Sequence, residues 1–332
     1  MKRIYSILAL ALCLAFTSCY KEDALEPTEG GVELRFKVPQ GNNSWDEDIM
    51  QIYNDFGVYL VYDELSDADF NRSWTGAGGA FGSTYEGVGA KSDEMAKAYV
   101  DFMKTHIFPY LEGKQQVYKK ILPMYWYLGY NVNAHSKLDL GFMVLEFYVP
   151  QLNLFDGLDF WSLCFFGDNA TDDDPYFDPK TQKQYSQARN CILGYILSEA
   201  VKNGNIQIPA EFETGFDHQT GLVTDDNLDA DPDYYLTRGY PGTVNMSKFA
   251  SVSKPSNMGL PPTNENTFIG YVLLQMLYNP TELEEHYPSD KYPLVAEKFQ
   301  YVYNYMKTAY GIDLRELCAG PDNWETCNIS YK

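Results

Sequence analysis

Basic residues are scarce in this chain: 25 Lys and Arg stand against 46 Asp and Glu, a formal net charge of −21. A phosphate backbone would be repelled by that field, so nucleic acid is not an expected partner. Histidine is scarcer still, with four residues, His106, His135, His218 and His286, far apart in sequence. No His-Glu-x-x-His occurs, and no Cys/His spacing resembles a zinc site. Gly76-Ala-Gly-Gly79 is not followed by the Lys-Ser/Thr that a phosphate loop needs. The apolar run Ile7–Phe16 is too short to span a bilayer as a stable anchor. There is no internal repeat and no strong domain boundary.

What is present is apolar and aromatic. Hydrophobic residues make up 45% of the chain, enough for a sizeable core, and 28 are Tyr, which packs as a ring and still offers a hydroxyl. Lys2, Arg3 and the run after them read as a secretion signal over residues 1–18. Phe16-Thr-Ser-Cys19 resembles a bacterial lipobox with Cys19 as the lipidated residue. Lys21-Glu22-Asp23 resembles the surface-export signal of Bacteroidetes lipoproteins. Residues 19–31 then form a polar tether, and residues 32–332 a single domain. Of the six Cys, Cys13 leaves with the signal. Cys318 and Cys327 enclose a Gly-Pro-Asp-Asn loop and are a candidate disulfide in an oxidising compartment.

The chain is organised around Gln187–Glu211. Ala188, Cys191, Ile192, Tyr195, Ile196, Ala200 and Val201 follow the i, i+3, i+4, i+7 spacing of a buried helix, stopped by Asn203-Gly204. Upstream, Val32–Val38 alternates as a first strand. Ser44 caps a helix with Glu47 three residues on, Val58–Tyr62 is a strand, and Ser92–Leu111 is a helix. Asn71–Ala90, rich in Gly and Ser, reads as an irregular loop. Ile121–Val132 and Gly141–Val149 are strands, and the apolar run Leu158–Phe166 belongs mid-sheet. Downstream, Thr214–Pro262 is a long loop with short helical turns. Asn266–Tyr278 and Pro293–Tyr310 are helices, the latter opened by Pro and closed by Gly311.

Cys191-Ile-Leu-Gly-Tyr-Ile-Leu-Ser198 followed by Ile208-Pro-Ala-Glu-Phe212 resembles the His-Glu-Phe-x-His helix and IP-x-E/A-F segment of the Bacteroidetes zinc-binding metallopeptidase lipoproteins. Ile52–Tyr62, Phe108–Gly113, Lys119–Gly129, Asn264–Leu277 and Tyr292–Leu314 look like further segments of that family, in the same order, over roughly residues 45–315. The resemblance implies an α+β, zincin-like fold: a mixed sheet packed against a central apolar helix, with further C-terminal helices.

That chemistry needs two imidazoles at i, i+4 on one Zn²⁺, with a Glu between them to take a proton from bound water. Those positions hold Cys191, Ile192 and Tyr195. Gly270 stands where the family's Asp-Phe-x-Glu pattern supplies a third ligand. The resemblance therefore implies a non-catalytic member: a surface-exposed outer-membrane lipoprotein, accessory or substrate-binding subunit of a SusC/SusD-like importer of glycan or peptide. The alternative is a zinc metallopeptidase or other hydrolase with atypical residues, carboxylates such as Glu211 and Glu213 among them.

No cofactor is expected apart from Ca²⁺. Asp225, Asn227, Asp229, Asp231 and Asp233 place oxygen ligands at every second residue. They lack the glycine and terminal Glu of an EF-hand loop, so a solvated acidic loop stays open as the other reading. Candidate substrate-binding aromatics are Trp74, Phe81 and Tyr85 in one loop and Tyr234, Tyr235 and Tyr240 in another; packing under their own loops is their ordinary alternative.

Overall fold

A computed structural model describes residues 34–73, 83–168, 179, 181–221, 233–246, 251–254 and 261–321. The chain divides into Met1–Lys37 and Val38–Lys332, and the architecture below is that of the second unit. Among the described residues, helices of six residues or more are α1 (Ser44–Phe56), α2 (Asp93–Phe102), α3 (Gln182–Lys202), α4 (Asn264–Leu277), α5 (Pro280–His286), α6 (Pro293–Tyr310) and α7 (Leu314–Ala319). Strands are β1 (Tyr59–Val61), β2 (Thr84–Gly89), β3 (Tyr125–Asp139), β4 (Val144–Pro150), β5 (Asn153–Leu154), β6 (Phe160–Phe166), β7 (Thr243–Val244) and β8 (Val252–Ser253). The protein is a mixed α/β structure with a mixed sheet and several helices. Among the described residues, no helix is long and apolar enough to cross a membrane.

β3 is the axis of the sheet, 15 residues long. Its first half pairs in parallel with β1 and β6, and its second half antiparallel with β2 and β4. The two halves need different surroundings. In the first half Tyr125, Trp126, Tyr127 and Leu128 are buried, as is all of β6, because parallel strands are covered on both faces. The second half, with β4, reaches out as a hairpin whose large apolar residues Phe142, Phe147 and Val149 are exposed.

Where the halves meet, the β3–β6 register slips between Leu128 and Tyr130. Tyr99 of α2 repairs the slip: its hydroxyl donates to the Gly129 carbonyl at 2.5 Å and accepts from the Phe165 N–H at 2.7 Å. Both are backbone groups at the slip, where buried backbone donors and acceptors need partners.

α3 lies at the centre of the helical side. Tyr185, Ala188, Ile192, Leu193, Ile196, Leu197 and Val201 are all buried, which covers more than one helix face and accounts for a run without a strong polar side. α4 packs against it, and the Asn190 side chain donates to the Met276 carbonyl at 2.8 Å.

The structure departs from expectation in several places: α5, α7, β5, β7 and β8 were not expected, and β3 runs on to Asp139, beyond the expected end at Val132. Residues 34–38 form no strand, because alternation supplies a face but not a pairing partner. The cap of α1 is Asn43 with Asp46 in the capping box, one residue before the expected Ser44/Glu47 pair. Thr84–Gly89, expected as loop, is β2; its glycines permit close packing, and a Cβ at Gly87 would lie 2.9 Å from the Val132 side chain. The helix begun at Asp93 does not stay α-helical to Leu111. It widens into a π turn at Met103–Ile107 and tightens into a 3-10 turn at Phe108–Tyr110, with Pro109 excluding a regular end.

Candidate functional site

α3 starts at Thr181, whose hydroxyl accepts from the Gln184 N–H while the Gln184 side chain accepts from the Thr181 N–H. It ends at Asn203, where Gly204 turns left-handed at φ 73° and the Ile206 N–H returns to the Ala200 carbonyl. Between these ends, Cys191 and Ile192 are both 0% exposed. A hydrolytic metal needs room for a water and a path for substrate, and these two positions supply neither.

Tyr195 is half-buried. Its ring stacks on Phe155 at 4.0 Å between centroids and meets Trp161 edge-on at 5.4 Å. Burial pushes its hydroxyl up to about 12, helped by the carboxylates of Glu199 and Asp156, so at neutral pH it is a phenol and not a phenolate ligand. Gly270 faces backbone: a Cβ there would lie 2.6 Å from the carbonyl oxygen of Gly242. The segment 239–242 is held in that place by two tyrosines. Tyr271 of α4 donates to the Gly239 carbonyl at 2.7 Å, and Tyr287 donates to the Pro241 carbonyl at 3.0 Å.

Beside Tyr195, Asp156 accepts from the Tyr85 hydroxyl at 3.2 Å, and its other carboxyl oxygen has no hydrogen-bond partner. Burial pushes the Asp156 carboxyl up, and burial together with that carboxyl pushes the Tyr85 hydroxyl up strongly. The group holds a carboxyl and two phenols without an imidazole. Ile192, at the position that the resemblance gives to the base, cannot take a proton from water.

Two of the six aromatics expected to meet a substrate are buried inside the protein. Tyr85 is 7% exposed and Tyr240 1% exposed, so neither is a surface platform. Tyr240 instead donates to the Asp217 carbonyl at 2.9 Å. Tyr234 and Tyr235 are half-buried, with the Arg238 guanidinium 5.2 Å above Tyr234 and the Lys254 ammonium 5.2 Å above Tyr235. Trp74 and Phe81 lie outside the described residues.

Of the calcium candidates, Asp225, Asn227, Asp229 and Asp231 also lie outside the described residues. Asp233 is held by Lys291 and by the Tyr292 hydroxyl, each at 2.6 Å, and these partners hold its carboxyl below the usual range. Its oxygens therefore tie the loop to the start of α6. Among the described residues, no group of three His, Cys, Asp or Glu side chains is placed to hold a metal ion. Cys318 is a half-buried free thiol, and Cys327 and Cys19 lie outside the described residues.

Two features escaped the sequence reading. The first is Arg189, 0% exposed on α3, whose guanidinium donates to the Leu317 and Cys318 carbonyls at the end of α7 and lies 3.3 Å from Nδ1 of His106. The end of a helix carries partial negative charge, so α7 presents a buried cation with suitable acceptors. A charge set inside the apolar pattern of residues 188–201 was the available signal. The second is a cleft of about 480 Å³ over β2, β3 and β4, bordered by Glu86, Tyr130, Asn133 and Tyr148. Alternation in β4 marked it, since Glu146 and Tyr148 share one face of that strand.

No family model matches the chain, and no curated protein matches it. Among solved structures, it is similar to a "putative zinc-binding metallo-peptidase" from Bacteroides caccae, with a TM-score of 0.44 and 9% sequence identity over 84% of this chain and 91% of that one.

Proposed function

We propose that this protein is a non-catalytic, lipid-anchored protein of the outer-membrane surface that acts as an accessory or substrate-binding subunit of a SusC/SusD-like nutrient importer. The observation that carries the non-catalytic part is the closure of α3: Cys191 and Ile192 are sealed from solvent, and Gly270 meets the Gly242 carbonyl. The lipobox ending at Cys19 and the acidic signal behind it support the location. The importer association rests on the family resemblance of the sequence.

The test is zinc analysis of the purified chain, run beside a peptidase assay on casein and on a mixed peptide library. Zinc well below one per chain and no cleavage are expected. Stoichiometric zinc that disappears on Cys191→Ala, with chelator-sensitive cleavage, would replace this reading with a metallopeptidase using atypical ligands. For the importer, co-purification of a TonB-dependent outer-membrane barrel with the native lipidated chain is expected; recovery of the chain alone from gently solubilised membranes would remove that part.

A further inference from the structure

We infer that the cleft over β2, β3 and β4 is a binding site for a neutral carbohydrate, with Tyr148 as its stacking platform. This deepens the substrate-binding reading above and rests on it.

The platform is built from the sheet upward. Tyr148 and His135 are directly paired across β4 and β3, and their rings stack at 4.3 Å between centroids and 13° between planes. His135 is 7% exposed, and Nδ1 is paired with the Glu86 carboxylate of β2. On the other side, Nε2 lies 3.8 Å from Glu146, which also accepts from the Tyr148 hydroxyl at 3.2 Å. One face of Tyr148 is thus covered by an imidazole that Glu86 holds, with Glu146 near its other nitrogen. Tyr148 is 45% exposed and borders the cleft. A ring held in one orientation loses little freedom when a ligand stacks on it.

The opposite wall is equally fixed. Lys91 lies 3.7 Å over the Tyr130 ring and 3.5 Å from Asp168, and the Tyr130 hydroxyl donates to Asp168 at 2.5 Å. Asn131 is left-handed at φ 52°, where its side-chain oxygen accepts from the Asp168 N–H at 3.1 Å. Asn133 donates to the Asn131 carbonyl at 2.8 Å. Register shifts in both β2 and β3 fall at this place, and bulges re-aim side chains beside functional clefts.

Charge state selects the ligand class. The cleft's carboxylates are already engaged: Asp67 by the Gly87 N–H, Glu86 by His135, and Asp168 by Lys91 and Tyr130. Their remaining lone pairs are oriented acceptors for hydroxyl donors, while Lys91 and the Asn amides donate. Acidic ligands are disfavoured by three carboxylates. Lys91 offsets one of these three charges, so a cationic ligand is the competing class that trilysine tests. A sugar ring fits both parts, with its C–H face on Tyr148 and its hydroxyls between paired donors and acceptors, and a site of about 480 Å³ takes one or two rings.

The experiment uses the purified full chain and isothermal titration with hexasaccharides of glucose (α- and β-linked), mannose, galactose and xylose, plus trilysine and hexagalacturonate. One neutral hexasaccharide is expected to bind, at least tenfold more weakly to Tyr148→Ala and only slightly more weakly to Tyr148→Phe. Tyr148 is exposed, and thermal melts confirm that both variants fold. Binding of no neutral sugar, or binding unaltered by Tyr148→Ala and Glu86→Gln alike, would overturn the site. Trilysine or hexagalacturonate binding lost with Tyr148→Ala would overturn the ligand class. None of these outcomes bears on the absence of peptidase activity, which zinc content and cleavage decide separately.

Discussion

The carbonyl oxygen of Gly242 occupies the space where a side chain at Gly270 would begin, 2.6 Å from an added Cβ. The helix position that the resemblance assigns to a metal-binding carboxylate is therefore a helix-to-backbone contact. Gly270→Ala gains roughly 1 kcal/mol of helix propensity. It also forces the Gly242 backbone away, and overpacking costs about 1–3 kcal/mol. A lower urea midpoint is expected for the variant; a higher one would mean that this contact opens freely.

Acid should destabilise the protein through His106. This imidazole is stacked between Phe102 and Tyr185 and faces Arg189, and burial followed by the guanidinium charge pushes it down to about 3 from 6.5. The unfolded chain therefore takes up a proton between those values that the folded chain refuses. The stability is fully present above pH 6.5 and is lost as the pH falls towards 3, at up to about 1.4 kcal/mol per pH unit from this group. Denaturant unfolding of the wild type should show a steeper pH slope over that window than His106→Gln, in which nothing titrates. Equal slopes would count against a neutral, buried His106.

Arg189 contributes a planar fork that a lysine cannot reproduce. Its Nε and Nη2 reach the Leu317 carbonyl at 3.2 and 2.8 Å, and Nη2 also reaches Cys318. Arg189→Lys leaves buried carbonyls underfilled, and a loss of about 2–4 kcal/mol is expected. Limited proteolysis should then cut first near α7. Unchanged C-terminal protection would show that packing alone holds that helix.

Tyr99→Phe removes one oxygen and takes a hydrogen-bond partner from two backbone groups, the Gly129 carbonyl and the Phe165 N–H. A cost of about 2–3 kcal/mol is expected from unfolding curves, well above that of removing an exposed tyrosine hydroxyl.

Thiol reactivity reports whether α3 is closed in solution. Cys164 is fully buried, and burial pushes its thiol up to about 11; Cys191 is 0% exposed. In a chain with Cys13, Cys19, Cys318 and Cys327 replaced by Ser, Ellman's reagent should label neither thiol until denaturant is added. Rapid native labelling of Cys191 would reopen the question of a site on that helix.

Much of the helical side was legible because its signals are local. Pro293 and Gly311 bracket α6, Asn203-Gly204 stops α3, and Gly57 stops α1, since each acts on the backbone of its own turn. β2 was hidden because Gly87 and Gly89 look like loop residues until Val132 and Tyr62 press against them. The exposed-aromatic reading failed at Tyr85 and Tyr240 for a related reason: a tyrosine is written the same way whether its hydroxyl meets water, Asp156 or the Asp217 carbonyl.

The sequence by itself determined which atoms stand at the positions that the resemblance assigns to a metal. Cys191, Ile192, Tyr195 and Gly270 are facts of composition, and an isoleucine cannot accept a proton in any fold. It also determined the apolar period that puts α3 in the core. Only the tertiary structure decided that Cys191 and Ile192 are sealed, that Tyr195 is half-covered by Phe155 and that Gly270 meets Gly242, because these contacts come from distant parts of the chain. The same holds for the cleft. Glu86, His135 and Tyr148 sit on three strands, and only the register of β2 and β4 on β3 stacks them into one platform.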